Sequence, residues 1–124
     1  MSFPNLPYTI QHGHAQHFIC SKDCLFHLAT EVIGKNRRVV ISTIGDCYLP
    51  KDVSGIDTNK PQEIGCGRTF ETFVFKCSIK RQKCGCPVIK DWCEIEGIGA
   101  NSAQEASLNH NNMVESWLEK LNSK

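Results

Sequence analysis

Gly67-Arg68-Thr69-Phe70-Glu71-Thr72-Phe73-Val74-Phe75-Lys76-Cys77-Ser78-Ile79 is the longest run of β-strand character in this chain. Phe73, Phe75, Cys77 and Ile79 alternate with Thr72, Val74, Lys76 and Ser78. The two-residue period of a strand puts the first set on an apolar face and the second on a mixed face. Gly65 and Gly67 punctuate its start, and Lys80-Arg81-Gln82-Lys83 its end. This strand is the expected centre of a sheet.

The neighbouring segments supply its partners. Arg37 to Ile44 is rich in β-branched residues, with Val39, Ile41 and Thr43 on one face and Val40, Ser42 and Ile44 on the other. Cys24 to Ile33 has an ambiguous period and reads as helix or strand. The turn residues Gly34-Lys35-Asn36 between the two segments make a β-hairpin the economical reading. Residues 1–18, with Pro4 and Pro7, read as an irregular arm leading to a short strand at Tyr8-Thr9-Ile10. Residues 47–66 form one long loop carrying Pro50, Gly55, Pro61 and Gly65. A loop of that length reads as a lid, a partner contact or a tolerated surface insertion. Val88-Ile89 and Trp92 to Glu96 give a short strand or two. Ser102-Ala103-Gln104-Glu105 is a capping box that starts a helix running to about Leu121. Ala103, Ala106, His110, Met113, Val114, Trp117 and Leu121 form a stripe at helical spacing, which predicts packing across the sheet. These elements predict an α+β fold: an antiparallel β-sheet with a C-terminal α-helix packed on it, in a single domain over residues 1–124.

Composition narrows the function classes. Hydrophobic content of 40% and 22% charged residues suit an ordinary soluble domain. A net charge of +1 gives no long-range attraction to nucleic acid or membrane, and neither is expected as a partner. No apolar run approaches the ~20 residues of a membrane helix. Met1-Ser2-Phe3-Pro4-Asn5-Leu6-Pro7 lacks the pattern of a secretory leader, so a cytoplasmic location is expected. There the eight cysteines would be free, metal-bound or catalytic. Exposed strand edges and small size favour a homo-oligomer.

Several residue patterns carry chemistry, each with a plainer reading beside it. Cys77, Cys84, Cys86 and Cys93 follow the spacing Cys-x6-Cys-x-Cys-x6-Cys, and four thiolates suit tetrahedral zinc. The region lacks the usual Cys-x2-4-Cys knuckle, and a basic hairpin tip with free thiols is the other reading. His12 and His14, with His17, Cys20, Cys24 or His27 as further ligands, offer a second metal set, or else a polar turn. Gly97-Ile98-Gly99 ahead of a helix N-terminus suits a phosphate contact, or simply feeds the cap. It is not a dinucleotide fingerprint, because Ser102 stands where the third glycine belongs and no strand follows. Arg37 and Arg38 beside the hairpin turn can grip a phosphate bidentately, or serve as a solvated hairpin end. Phosphate-loop, zinc-protease and deaminase signatures are absent, and no spacing nominates a Cys–His pair. The chain reads as a non-enzyme, with a small cysteine-dependent enzyme as the remaining catalytic alternative.

Phe70-Glu71-Thr72-Phe73-Val74-Phe75 resembles an aromatic-Glu-Thr-x-Val-Phe strand of small proteins from tailed phages and prophages. In that group the strand follows a hairpin arm like Val40 to Tyr48 and precedes a turn like Cys84-Gly85-Cys86-Pro87. A helix with an Ala-x-x-x-His step, here Ala106 to His110, ends the order. The likeness covers roughly Cys24 to Leu121 and implies a phage-encoded accessory protein in the host cytoplasm. In size, fold class and origin the chain is also similar to phage anti-defence sponges, such as those countering the Thoeris system. That similarity implies a homo-oligomer that sequesters a host immune nucleotide signal without cleaving it, and needs no cofactor. In such a site Arg37, Arg38 and Arg68 would pair with phosphates, Phe75 would stack a base, Asn101 would hydrogen-bond, and His110 would contribute. The alternative is a zinc-stabilised interaction module that inhibits a host protein through Cys77, Cys84, Cys86 and Cys93.

Overall fold

The structure, a computed structural model, describes residues 6–12, 24–35, 37–47, 69–83 and 85–122. Five strands form one antiparallel sheet in chain order: β1 (Tyr8–Gln11), β2 (Cys24–Ile33), β3 (Arg38–Cys47), β4 (Phe70–Arg81) and β5 (Pro87–Ala100). A single helix, α1 (Ala103–Asn122), follows. The expected α+β architecture is present. The ambiguous segment at Cys24–Ile33 is a strand, hydrogen-bonded to β1 on one side and β3 on the other. Its hairpin with β3 closes through Gly34, whose N–H donates to the Arg37 carbonyl at 2.9 Å. β3 runs on to Cys47, and the long loop expected after it lies outside the described residues. No helix among the described residues is long and apolar enough to cross a membrane.

The helix packs on one face of the sheet. Val32, Val39, Ile41 and Val74 meet Trp117 and Leu121, with Met113, Val114 and Leu118 flanking. Nearer the helix start, Phe70 and Ala100 close on Ala106. The expected stripe therefore does face the sheet, except for Ala103, which is exposed in the first turn. Ser102 caps the helix: its Oγ accepts the Glu105 N–H at 3.1 Å. The Glu105 carboxylate reaches back to the Asn101 N–H at 3.2 Å, one residue earlier than the usual capping box.

The two faces of β4 follow the alternation as far as Cys77. The helix covers the mixed face, on which Phe70, Thr72 and Val74 are buried. Phe75, from the apolar set, packs on the opposite side with Ala29, Val40 and Cys86, and Phe73 and Ile89 flank them. Ile79, assigned to that apolar face, is 75% exposed. Polar residues tolerate the helix-covered face because one imidazole satisfies them. His110 takes Thr30 Oγ1 on Nε2 and Thr43 Oγ1 on Nδ1, each at 2.8 Å, and Thr43 Oγ1 meets Thr72 Oγ1 at 2.7 Å. A neutral imidazole has one donor and one acceptor, which is what this chain of hydroxyls requires. Buried hydroxyls cost little when each is hydrogen-bonded in this way.

Glycine has a packing role at Gly45. The register aligns Phe26, Gly45 and Phe70 across β2, β3 and β4. The Phe26 and Phe70 rings meet edge to face over the gap, centroids 5.3 Å apart at 89°. A Cβ on Gly45 would fall 2.0 Å from a Phe70 ring carbon.

Two outcomes follow from this packing. Gly45→Ala is expected to destabilise the fold by about 1–3 kcal/mol in urea unfolding, and the same change made in a Phe70→Ala background should cost clearly less, because the obstructing ring is gone. The second concerns pH. Burial, then the neighbouring His27, pushes His110 down to about 4 from an ordinary 6.5. Between those values the unfolded chain binds a proton that the folded chain does not. Stability is therefore full above pH 6.5 and falls as pH drops toward 4, by on the order of 3 kcal/mol. Urea midpoints measured across that range should show the decline, and His110→Gln should flatten most of it. A midpoint independent of pH would contradict the buried neutral imidazole.

Candidate anion-binding site

The site lies at the end of the sheet where the β2–β3 turn meets the middle of β4. Gly34, Lys35 and Arg37 come from the turn and Arg38 opens β3. Val39 pairs with Lys76, so Lys76 and Cys77 of β4 lie beside Arg38. β5 contributes Lys90 through a bulge. Lys76 pairs with Asp91 and Cys77 with Ile89, which leaves Lys90 as the extra residue on β5. An unpaired extra residue bends the strand and re-aims a side chain.

These residues line two adjoining cavities. One, of about 170 Å³, is lined by Arg37, Arg38, Lys76, Cys77 and Lys90. The other, of about 320 Å³, shares Arg37, Arg38, Cys77 and Lys90, and adds Lys35, Ser78 and Ile79 beside Gly34. Among the described residues, five cations line this space and no carboxylate or imidazole does. Asp91, adjacent in sequence to Lys90, turns back on its own strand, where its Oδ1 accepts the Cys93 N–H at 2.9 Å.

Below the cavities lies a buried carboxylate. The Glu31 side chain is fully buried and receives Arg81 Nη1 on Oε1, together with His12 Nε2 at 3.0 Å. The hydrogen bond that Arg81 donates to Glu31 is the foremost cause holding the Arg81 pKa above its ordinary value. Arg81 is thus engaged by Glu31 and does not line the cavities. Cys77 Sγ lies 3.8 Å from Glu31 Oε2 and donates to it. Burial, and then Glu31, pushes the Cys77 thiol up to about 12, against the opposing pull of Arg81 and Arg38. The thiol is neutral at physiological pH and is neither a nucleophile nor a ready thiolate ligand.

The structure gathers only part of the expected ligand set. Arg37 and Arg38 line the cavities, with Arg37 also 5.1 Å above the Trp117 ring. Phe75 is fully buried and offers no open ring face for a base. His110 is buried in the threonine network on the helix side. Asn101 is exposed at the far end of the sheet, where its Oδ1 accepts the Thr69 N–H at 3.1 Å. Arg38 opens β3 while Gly45 lies in the row that ends at Ala100, so Asn101 and Arg38 are separated by roughly 20 Å of strand. Arg68 lies outside the described residues, as do His14, His17, Cys20 and Cys84. Gly97-Ile98-Gly99 is strand, not loop, and Gly97 sits under the Phe73 ring.

Of the four cysteines of the zinc set, the three that the structure describes do not converge. Cys77 faces Glu31, Cys86 packs with Val40 and Phe75, and Cys93 is exposed. Among the described residues no group of three His, Cys, Asp or Glu side chains is placed to hold a metal ion. Lys35, Lys76 and Lys90 were not anticipated as site residues. Lys76 had a visible signal, a lone cation within the central strand, whereas the aim of Lys90 depends on a bulge that no local pattern marks. Comparison with known proteins finds no matching family model, no matching curated protein and no matching solved structure.

The thiol geometry gives a direct check. At pH 8, peptide mapping after brief iodoacetamide treatment of the native protein should find exposed Cys93 alkylated and Cys77 unmodified. Rapid labelling of Cys77 would contradict a buried thiol held neutral beside Glu31.

Proposed function

We propose that this chain is a non-catalytic binding protein for a phosphate-bearing small molecule, and that it sequesters a nucleotide signal. The observation that carries the reading is the two-part cavity lined by Lys35, Arg37, Arg38, Lys76 and Lys90, with no carboxylate in the lining among the described residues. Clustered cations in a partly enclosed space repel one another, and an anion relieves that repulsion. Arginine adds the fork geometry that suits phosphate oxygens. The non-catalytic part rests on the lining itself: Cys77 is the candidate nucleophile, and its thiol is held neutral. The phage anti-defence context and the host cytoplasm come from the resemblance of the central strand and the order of elements.

A homo-oligomer fits the same reading. Among the described residues the outer edges of β1 and β5 have no strand partner, and β5 exposes Ile95 and Ile98. Unpaired edges with apolar side chains invite association of copies.

Native mass spectrometry of protein purified under reducing conditions, with and without extract from phage-challenged cells, tests the function. The expected result is an oligomer that gains a discrete organic mass, recovered chemically unaltered after denaturation. An Arg38→Glu/Lys76→Glu variant should fail to gain it. A ligand returned in altered form would contradict sequestration, and a species that gains nothing would contradict the small-molecule reading.

A further inference from the structure

We propose that the two adjoining cavities are two phosphate subsites of one pocket, and that the ligand carries two linked phosphoryl groups, one of them terminal, as in a nucleoside diphosphate. This rests on the anion-binding reading above and names the ligand class for the same site.

The division of the cations carries the argument. Arg37, Arg38 and Lys90 line both cavities and form the seam between them. Each cavity then has one cation of its own: Lys76 in the smaller and Lys35 in the larger. A single phosphate in either cavity leaves the cation of the other without a counter-charge. A diphosphate places one phosphoryl group in each cavity and the bridging oxygen over the shared arginines. The charge balance agrees, since a monophosphate brings about two negative charges and a diphosphate about three against five cations. Among the described residues no nearby acid substitutes for the second phosphate. Glu31 is engaged by Arg81 and His12, and Asp91 folds back on the Cys93 N–H.

The pocket also has a direction. Ile79 lines only the larger cavity and is 75% exposed, an apolar surface at the mouth of a cationic pocket. Ser78 lies beside it. Among the described residues the smaller cavity has no aliphatic side chain in its lining. The organic part of the ligand therefore rests on Ile79, and the terminal phosphoryl group enters the smaller cavity toward Lys76. Ile79 takes the part expected of Phe75, whose ring is buried. The larger cavity, at about 320 Å³, falls at the lower end of the size range of small-molecule sites.

Isothermal titration of the full chain with ADP, AMP, inorganic pyrophosphate and adenosine tests this. ADP should bind at least about tenfold more tightly than AMP, pyrophosphate should bind, and adenosine should not. Lys76→Ala should bring ADP and AMP close to parity, whereas Lys35→Ala should weaken both and leave their ratio largely intact. Ile79→Ser should weaken ADP while leaving pyrophosphate unchanged. All three positions are exposed, and unchanged melting temperatures would show that the variants fold. Equal affinity for ADP and AMP in the parent protein would overturn the two-subsite inference while leaving anion binding intact. An Ile79→Ser change that weakens pyrophosphate as much as ADP would overturn the assigned direction. Failure of every anion to bind would overturn both this inference and the anion-binding reading beneath it.

Discussion

The buried carboxylate of Glu31 is the constraint on which the arrangement of this sheet depends. A charge taken out of water is tolerable only when it is paired and hydrogen-bonded. Glu31 meets that demand with groups from three other places in the chain: His12 just beyond β1, Cys77 in the middle of β4, and Arg81 at its end. The two longest of these links span 46 and 50 residues. They tie β1 and β4 to β2 across the face that the helix does not cover, and hold that face closed over Val40 and Phe75. The same carboxylate has an electrostatic consequence. By engaging Arg81 and Cys77, it takes the nearest buried carboxylate out of reach, and among the described residues no other carboxylate lines the cationic cavities.

The two faces of the sheet solve the burial of polar groups differently. On the Glu31 face a full charge is matched by an arginine. On the helix face, neutral hydroxyls from β2, β3 and β4 are threaded onto the single imidazole of His110. That network fixes the rotation of the helix over the sheet, because sliding α1 by one residue would break both bonds to His110 and leave its imidazole and the Thr30 hydroxyl without these partners in an apolar layer. The Trp117 ring, with Arg37 above it and Lys120 at 4.5 Å, connects this helix packing to the turn that carries the site. Lys120 in turn bonds Glu96 of β5 at 2.7 Å. The turn, the helix and the edge strand are thereby braced against one another.

Much of the fold was legible in local pattern. The alternation in Phe70 to Ile79, the turn at Gly34-Lys35-Asn36, and the Ser102/Glu105 cap each depend on residues close in sequence, and each yields the element expected. The assignment of faces was not legible. An alternating strand shows that its sides differ, not which side a helix will cover. Here the answer depends on a hydrogen bond between Thr30 and His110, 80 residues apart. The site was half legible for similar reasons. Arg37 and Arg38 mark themselves by adjacency to a turn. Lys90 does not, because its aim comes from an irregular pairing of β5 with β4. Phe75 looked like a ring available for stacking, since exposure cannot be read from an aromatic residue in a strand. Asn101 and His110 are sound candidates as residue types, yet the register places them on other parts of the molecule.

The central claim is that anion binding belongs to the turn-side pocket and not to the helix N-terminus at the far end of the sheet. An amide-detected NMR titration with ADP locates it most directly. The account predicts shifts confined to the neighbourhood of Arg37, Arg38, Lys76 and Lys90, with Asn101 to Glu105 unmoved. Shifts concentrated at Asn101 to Glu105, with the lysine and arginine pocket silent, would contradict it.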